Sequence, residues 1–193
     1  MTEAPTEYLE IEYKYVLDDK DNDGLIRKAI SELGPVKTFQ VDVEDSYFYS
    51  PLTPDYVFRH RFDREIQQLT MKSITKDPTV RKEVNIALNQ DRGSQLAAVH
   101  AFLEPLQVSI SATIKKRVWA YYFRDVEIVY YEASRHGCDV SCVEIEAIDP
   151  ETVQRGKELI ELYANKLCLD PEMLSSSALF SLLVPEFSEM DLA

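Results

Sequence analysis

From Tyr8 to Leu17 apolar and charged residues alternate one for one, with Leu9, Ile11, Tyr13 and Tyr15 set against Glu10, Glu12 and Lys14. Successive side chains of an extended chain point to opposite sides, so this pattern predicts a strand with one apolar and one charged face. A period of two recurs over Thr38–Tyr49, Tyr56–Phe62, Gln67–Ile74, Val80–Leu88, Val108–Tyr122, Val126–Tyr131 and Val140–Ala147, which makes eight strands. Elsewhere the period becomes helical. Asp21-Asn22-Asp23-Gly24 caps a stretch from Leu25 to Leu33 that Gly34-Pro35 ends. Asp91-Arg92-Gly93-Ser94 opens a short helix from Gln95 to Leu103, stopped by Pro105. After Asp149-Pro150-Glu151, Val153, Gly156, Leu159, Ile160, Tyr163 and Leu167 share one helical face, and a second helix is expected from Pro171.

Many strands joined by short turns, with few helices, predict an α+β protein in which an antiparallel sheet or barrel carries flanking helices. Its 193 residues suit a single domain, 1–193, with C-terminal helices over about 150–184 and an acidic tail over 186–193. The formal net charge of −13 disfavours a broad electrostatic footprint on nucleic acid or anionic membrane, so phosphate binding has to be locally concentrated. Cys138, Cys142 and Cys168 match no zinc spacing and read as reduced thiols. The start, Met1 to Glu7, has neither a basic nor an apolar targeting region, and the apolar run Ala178–Val184 is far short of the roughly 20 residues a membrane span needs. A cytoplasmic protein without a membrane partner is the expectation.

The polar strand faces carry the candidate chemistry. A single such face is ordinarily the solvated side of an antiparallel sheet. Here the charges are sorted: acids sit on the first and last strands (Glu10, Glu12; Glu144, Glu146) and bases on the middle ones (Arg59, Arg61; Lys72; Arg81; Lys115, Arg117). Bases crowded on one face of a net-acidic protein should repel one another unless an anion neutralises them, which asks for a polyanion. Closing the sheet with this face inward gives a charged tunnel whose apolar outside lies under the helices. The two carboxylate pairs then form a hard oxygen site suited to Mg²⁺ or Mn²⁺, opposite bases that can grip phosphates.

In order along the chain stand Glu10-Ile11-Glu12-Tyr13-Lys14 (E-x-E-x-K), Arg59-x-Arg61, Leu69-Thr70-Met71-Lys72, Arg81-x-Glu83, Lys115-x-Arg117 and Val143-Glu144-Ile145-Glu146. In these motifs, from about Glu7 to Val184, the chain resembles the CYTH superfamily, the triphosphate tunnel metalloenzymes. That resemblance implies an eight-stranded antiparallel β-barrel (tunnel) and a metal-dependent phosphohydrolase that removes the terminal phosphoryl group of inorganic or nucleoside triphosphate. It implies Glu10, Glu12, Glu144 and Glu146 as metal ligands, and Lys14, Arg59, Arg61, Lys72, Arg81, Lys115 and Arg117 as tunnel residues on the phosphates. Glu10, Glu12, Lys14, Lys72 and Glu83 form the expected catalytic set. The alternatives within the resemblance are a class IV-type adenylyl cyclase and an RNA 5′-triphosphatase, for which an RNA end would be the one nucleic-acid partner. Outside it stands a polyphosphate- or nucleotide-binding module without turnover. A monomer or homodimer is expected.

Three positions depart from the family pattern: Asn85 where a second acid follows Glu83, Val129-Tyr130-Tyr131-Glu132 where an Asp is common, and Thr113 two residues before Lys115. Asp45, Tyr47 and Tyr49 share one face of the second strand, which puts Asp45 within reach of the tunnel. His60, His100 and His136 read as core or surface residues.

Overall fold

Each strand-like stretch finds its neighbour, and the last pairing closes the sheet on itself. The computed structural model describes residues 6–17, 23–75, 77 and 79–188. In chain order the elements are β1 (Thr6–Leu17), α1 (Asp23–Glu32), β2 (Lys37–Tyr49), β3 (Tyr56–Phe62), β4 (Gln67–Ser73), β5 (Val80–Ala87), α2 (Leu96–Leu103), β6 (Ile110–Tyr122), β7 (Val126–Arg135), β8 (Cys138–Ala147), α3 (Val153–Lys166), β9 (Leu174–Ser175), α4 (Leu179–Leu183) and α5 (Pro185–Ser188). The sheet runs β5-β4-β3-β2-β6-β7-β8-β1, and antiparallel pairing of β1 with β5, Glu10 opposite Arg81, joins its ends into an eight-stranded barrel. Closure satisfies the backbone groups that an open sheet would leave along its edges. The two residues of β9 add to the later part of β1, opposite Lys14 and Tyr15.

Helices cover the barrel where its outer face is apolar. Ile11 and Tyr15 of β1, Ile128 and Tyr130 of β7, and Val143 and Ile145 of β8 pack with Ile30 of α1 and Leu159, Ile160 and Ala164 of α3. Thr152 caps α3, its side chain accepting from the Arg155 amide at 3.1 Å, and the helix ends where Cys168 turns to a φ of 52°. A second layer sets Phe48, Phe58 and Leu69 of β2–β4 against Val99 and Leu103 of α2. His60 belongs to this outer layer, bonded through Nε2 to Gln67 Oε1 at 3.0 Å, and the His100 ring meets Phe48 edge-on at 4.8 Å. The histidines therefore stand outside the tunnel chemistry, with His136 in a turn.

Inside one end of the barrel lies a third, apolar cluster. Tyr47, Val57, Ala112, Ile114, Tyr131 and Cys142 receive Leu179, Phe180 and Leu183 of α4, with Phe187 of α5 behind them. The C-terminal segment thus plugs the barrel.

Several boundaries differ from the sequence reading. The β7–β8 hairpin extends to Arg135 and Cys138, through a tight turn in which His136 and Gly137 both have positive φ. Its tip is polar apart from Ala133 opposite Val140, so the apolar alternation that marks a strand fades before the hydrogen-bond ladder does. No helix starts at Pro171: one 3₁₀ turn, Pro171–Met173, capped by Asp170, gives way to β9. Here pairing with β1 wins over the weak helix propensity of Ser175-Ser176-Ser177. The first part of the expected acidic tail is helical, because Phe187 is buried against Phe180 and Tyr49. The capping residues Asp21 and Asn22, the start at residues 1–5 and the last residues, 189–193, lie outside the described residues. No helix among the described residues is long and apolar enough to cross a membrane.

Gly156 sets how closely α3 approaches the barrel. A Cβ there would stand 2.9 Å from Ile11 Cδ1, 3.2 Å from Pro150 Cγ and 3.4 Å from the Ala147 Cβ. A branched side chain must displace core atoms, so Gly156→Val is expected to lower stability by about 1–3 kcal/mol in urea denaturation. An unchanged midpoint would contradict this seating of the helix.

Candidate active site

The inward faces of eight strands build one cavity of ≈ 710 Å³. Because side chains alternate, Glu10, Glu12 and Lys14 of β1 all point into it while Ile11 and Tyr15 leave for the core. The same rule brings in Arg59 and Arg61 of β3, Lys72 of β4, Arg81 and Glu83 of β5, and Glu144 and Glu146 of β8. Going round the barrel, registered pairs put Glu146 opposite Glu12, Glu144 opposite Lys14, Arg81 opposite Glu10, and Lys72 opposite Glu83.

The bases do not stand in mutual repulsion, as the sequence alone suggested. Acids compensate them. Lys72 Nζ lies 2.7 Å from Glu10 Oε1 and 2.6 Å from Glu83 Oε2. Arg81 reaches Glu10 at 3.1 Å and Glu12 at 2.7 Å. Lys14 meets Glu144 at 3.1 Å, and Arg59 lies 3.9 Å from Glu83. The Asn85 amide donates to Glu83 at 2.8 Å while its carbonyl accepts from Thr70 at 2.7 Å. The amide at this departure from the family pattern thus holds Glu83 in place.

Oxygens of Glu10, Glu12 and Glu146 converge within 4.8 Å of one another. Three carboxylates so close cannot all ionise cheaply. Burial, then Glu10 and Glu12, push the Glu146 carboxyl up to about 9, and burial with Glu144 and Glu10 raises Glu12. Glu10 is 3% exposed, and its Oε2 has no aligned hydrogen-bond donor. This donor set fits a hard cation, which would allow the three to ionise together. Glu144 is not in the cluster. Against the cost of burial, Lys14, Lys116 and a hydrogen bond from the Tyr131 hydroxyl at 2.8 Å hold it down at about 2. Lys72 and Arg59 likewise overcome burial to hold Glu83 at about 2.

β6 corrects the sequence reading. Lys115 and Arg117 do not line the tunnel; they project outward among exposed residues, Arg117 toward Asp42 at 3.5 Å and Glu132 at 3.8 Å. The inward face is the apolar one, Ile114, Val118, Ala120 and Tyr122, interrupted by Lys116. The expectation rested on apolar faces lying outside under helices. Over Ser111–Arg117 the outward residues are exposed, and the apolar face turns inward to meet α4 and the cavity instead. Thr113 and Glu132 face outward with them.

Sequence reasoning missed Lys116, Glu127 and Tyr131, which the correct strand phase would have supplied. Asp45 does reach the interior. Fully buried, it takes a bidentate bond from Arg61 at 2.8 Å through both oxygens and an ion pair from Lys116. Arg61 and Lys116 outweigh burial and hold its carboxyl well below the usual range. Burial dominates for Lys116 and lowers its ammonium to about 8. Glu127, sharing the Tyr122 hydroxyl, is raised by burial.

A closed eight-stranded antiparallel tunnel lined by acids and bases is the architecture that the resemblance to the CYTH superfamily implies. Solved structures agree. PH1012 of Pyrococcus horikoshii OT3 is 25% identical with a TM-score of 0.73, the match covering 90% of this chain and 99% of that one. HpAC1 of Hippeastrum, a candidate adenylyl cyclase with a dominant triphosphatase activity, is 16% identical with a TM-score of 0.64, covering 92% of this chain and 96% of that one. The RNA triphosphatase domain of a mimivirus mRNA capping enzyme is 10% identical with a TM-score of 0.51, covering 83% and 88%. No protein-family model and no curated protein matches the chain.

Removing the Asp45 charge leaves Arg61 and Lys116 buried without their anion, so Asp45→Asn is expected to cost about 3–5 kcal/mol. A carboxyl whose folded pKa is depressed contributes stability above its unfolded pKa of about 3.9 and loses it as pH falls toward the folded value. The wild type should therefore lose this contribution below pH 4, a loss that Asp45→Asn, with no carboxyl at that position, does not share, so the gap between them narrows there. Denaturant titrations from pH 5 downward check it; a gap that widens over that range would contradict the ion pairing.

Proposed function

We propose that this protein is a metal-dependent triphosphatase that hydrolyses the terminal phosphoryl group of a triphosphate. One observation carries the reading: Glu10, Glu12 and Glu146 converge in the same cavity that holds Arg59, Arg61, Lys72 and Arg81. Hard carboxylate oxygens beside phosphate-gripping bases suit a triphosphate and a divalent ion together. Mg²⁺ or Mn²⁺ on Glu10, Glu12 and Glu146 would supply charge neutralisation and polarisation of phosphoryl oxygens. The triphosphatase activity of HpAC1, on a barrel of this kind, supports the same chemistry.

The chain's own residues do the positioning. Glu10 and Glu83 raise the pKa of Lys72, which stays a cation able to bind phosphate oxygen. Arg59 and Arg81 present planar donors beside it. Water attacks the terminal phosphorus as the bridging P–O bond breaks; the diphosphate portion leaves with the bonding electron pair, the attacked phosphoryl group becomes orthophosphate, and the water proton passes to a phosphate oxygen. Glu83, at about 2, is too weak a base to take the water proton at neutral pH and instead holds Lys72 and Arg59 in line. Lys14 holds Glu144 beside the carboxylate cluster.

A panel of inorganic triphosphate, nucleoside triphosphates, thiamine triphosphate and RNA 5′ ends, with Mg²⁺ or Mn²⁺, tests the reaction by its products. Orthophosphate is expected. Pyrophosphate with a cyclic nucleotide would make the protein a cyclase, and tight binding without product would make it a binding module. Glu10→Ala and Glu12→Ala should each lower the rate by about a hundredfold or more while circular dichroism stays that of the wild type. Folded Glu12→Ala protein turning over at the wild-type rate in saturating Mn²⁺ would sink the assignment. Arg59→Ala should weaken triphosphate binding without metal, whereas Glu146→Gln should spare it.

A further inference from the structure

The bases of the tunnel differ in what holds them. Lys72 and Arg81 are paired with Glu10 and Glu12, two of the three converging carboxylates, so a cation bound there would draw those carboxylates off and free both bases. Arg59 meets Glu83 at 3.9 Å, and its buried Nε has no acceptor among the described residues. Arg61 and Lys116 are held differently. Their carboxylate is Asp45, which is not one of the converging three. Arg61 donates from Nε and Nη2 to separate oxygens of Asp45 at 2.8 Å, and Lys116 lies against the second of them. We propose that Asp45 is a built-in anion: it keeps Arg61 and Lys116 engaged when the tunnel loads, and so leaves the phosphates to Arg59, Lys72 and Arg81.

The inference rests on the triphosphatase reading and adds a positioning residue to it. Asp45 is 0% exposed, so a phosphate that pulled Arg61 and Lys116 away would strand a buried carboxylate, at a cost of several kcal/mol. A cation on Glu10, Glu12 and Glu146 does not repay that cost, as it does for the partners of Lys72 and Arg81. Nor has the short Asp45 side chain a second place to go, because β2 is paired on both sides here, with Arg61 of β3 and Ile114 of β6 opposite Asp45. Lys116 also stabilises Glu144, so neither cation faces the cavity uncompensated. An anion brought to this stretch of wall would meet the Asp45 charge as well as the bases. The arrangement has a use in turnover. Two more free cations would strengthen the binding of substrate and of phosphate products alike, and affinity gained equally by all does not raise the rate. Asp45 keeps the hold on products loose.

Calorimetric titration in EDTA with inorganic triphosphate, ATP and diphosphate tests this on wild type, Asp45→Asn and the double variant Asp45→Asn/Arg61→Gln. Asp45→Asn should bind whichever triphosphate the wild type takes about tenfold or more tighter, because the amide no longer neutralises either cation, and diphosphate should gain by a similar factor. Adding Arg61→Gln should return most of that gain, a pattern that loosened structure alone would not give. Since Asp45→Asn costs stability, the wild type carries a measurement of its own. In nuclear magnetic resonance spectra, the Nε–H signal of Arg61, assigned through Arg61→Lys, should hold its position when triphosphate saturates the protein, while those of Arg59 and Arg81 move. Folded Asp45→Asn that binds triphosphate no tighter than wild type would overturn the inference and leave the triphosphatase reading standing. So would a gain that survives Arg61→Gln, or an Arg61 signal that moves as far as that of Arg59. Should Asp45→Asn not fold, the wild-type signals decide alone. Failure of the wild type to bind either triphosphate would overturn the triphosphatase reading, and this inference with it.

Discussion

A charge turned into a closed barrel has to meet its opposite there, because an ion left alone in a buried site costs several kcal/mol. Every inward base of this tunnel obeys that constraint: Lys72 has Glu10 and Glu83, Arg81 has Glu10 and Glu12, Lys14 has Glu144, Arg59 has Glu83, and Arg61 and Lys116 share Asp45. The carboxyls left over respond by protonation instead, Glu146 reaching about 9. The interior charge is thus close to balance, although the chain as a whole carries a formal −13. Its excess acid lies elsewhere, on surfaces where water screens it.

The same constraint explains which strand faces look inward. Where α1, α2 and α3 cover the barrel, an apolar face is served outside and the charged face turns in. Along the middle of β6 the outer face carries Ser111, Thr113, Lys115 and Arg117 into solvent. Its apolar face then serves the interior, packing on α4 at the plugged end and lining the cavity beyond it. Which side chains line the wall therefore depends on where the helices lie, as much as on what the tunnel binds.

That dependence sets the limit of what the sequence discloses. Alternation on β1, β3, β4, β5 and β8 identifies the inward charged residues correctly, since on those strands the acids and bases of the cavity share one phase. On β6 the run Lys115-Lys116-Arg117 places a base in either phase, and only the tertiary position of the helices decides between them. Choosing the helix-covered phase loses Lys116 and promotes Lys115 and Arg117. On β7 the apolar residues on both faces, Val129 and Tyr131 against Ile128 and Tyr130, hide the inward position of Glu127. The closing contacts at the C-terminus are illegible for another reason. Leu174 and Ser175 pair with β1 because the barrel offers them an unoccupied edge there, and no local propensity encodes that offer.

Compensated charges also bear on how the proposed substrate and ion would enter. The carboxylates that would hold a cation are the partners of the bases that would hold phosphate: Glu10 and Glu12 are bound to Lys72 and Arg81. A cation arriving alone would draw those carboxylates away and leave the two bases short of an anion. A triphosphate arriving alone would do the reverse and leave the carboxylates exposed to one another. Arriving together, they exchange each buried ion pair for two new contacts of the same sign balance. The interaction between the two ligands is then favourable and reciprocal, since each relieves the charge that the other uncovers. Occupancy of both is accordingly the state that the buried charges stabilise most, and it is also the state in which hydrolysis would occur.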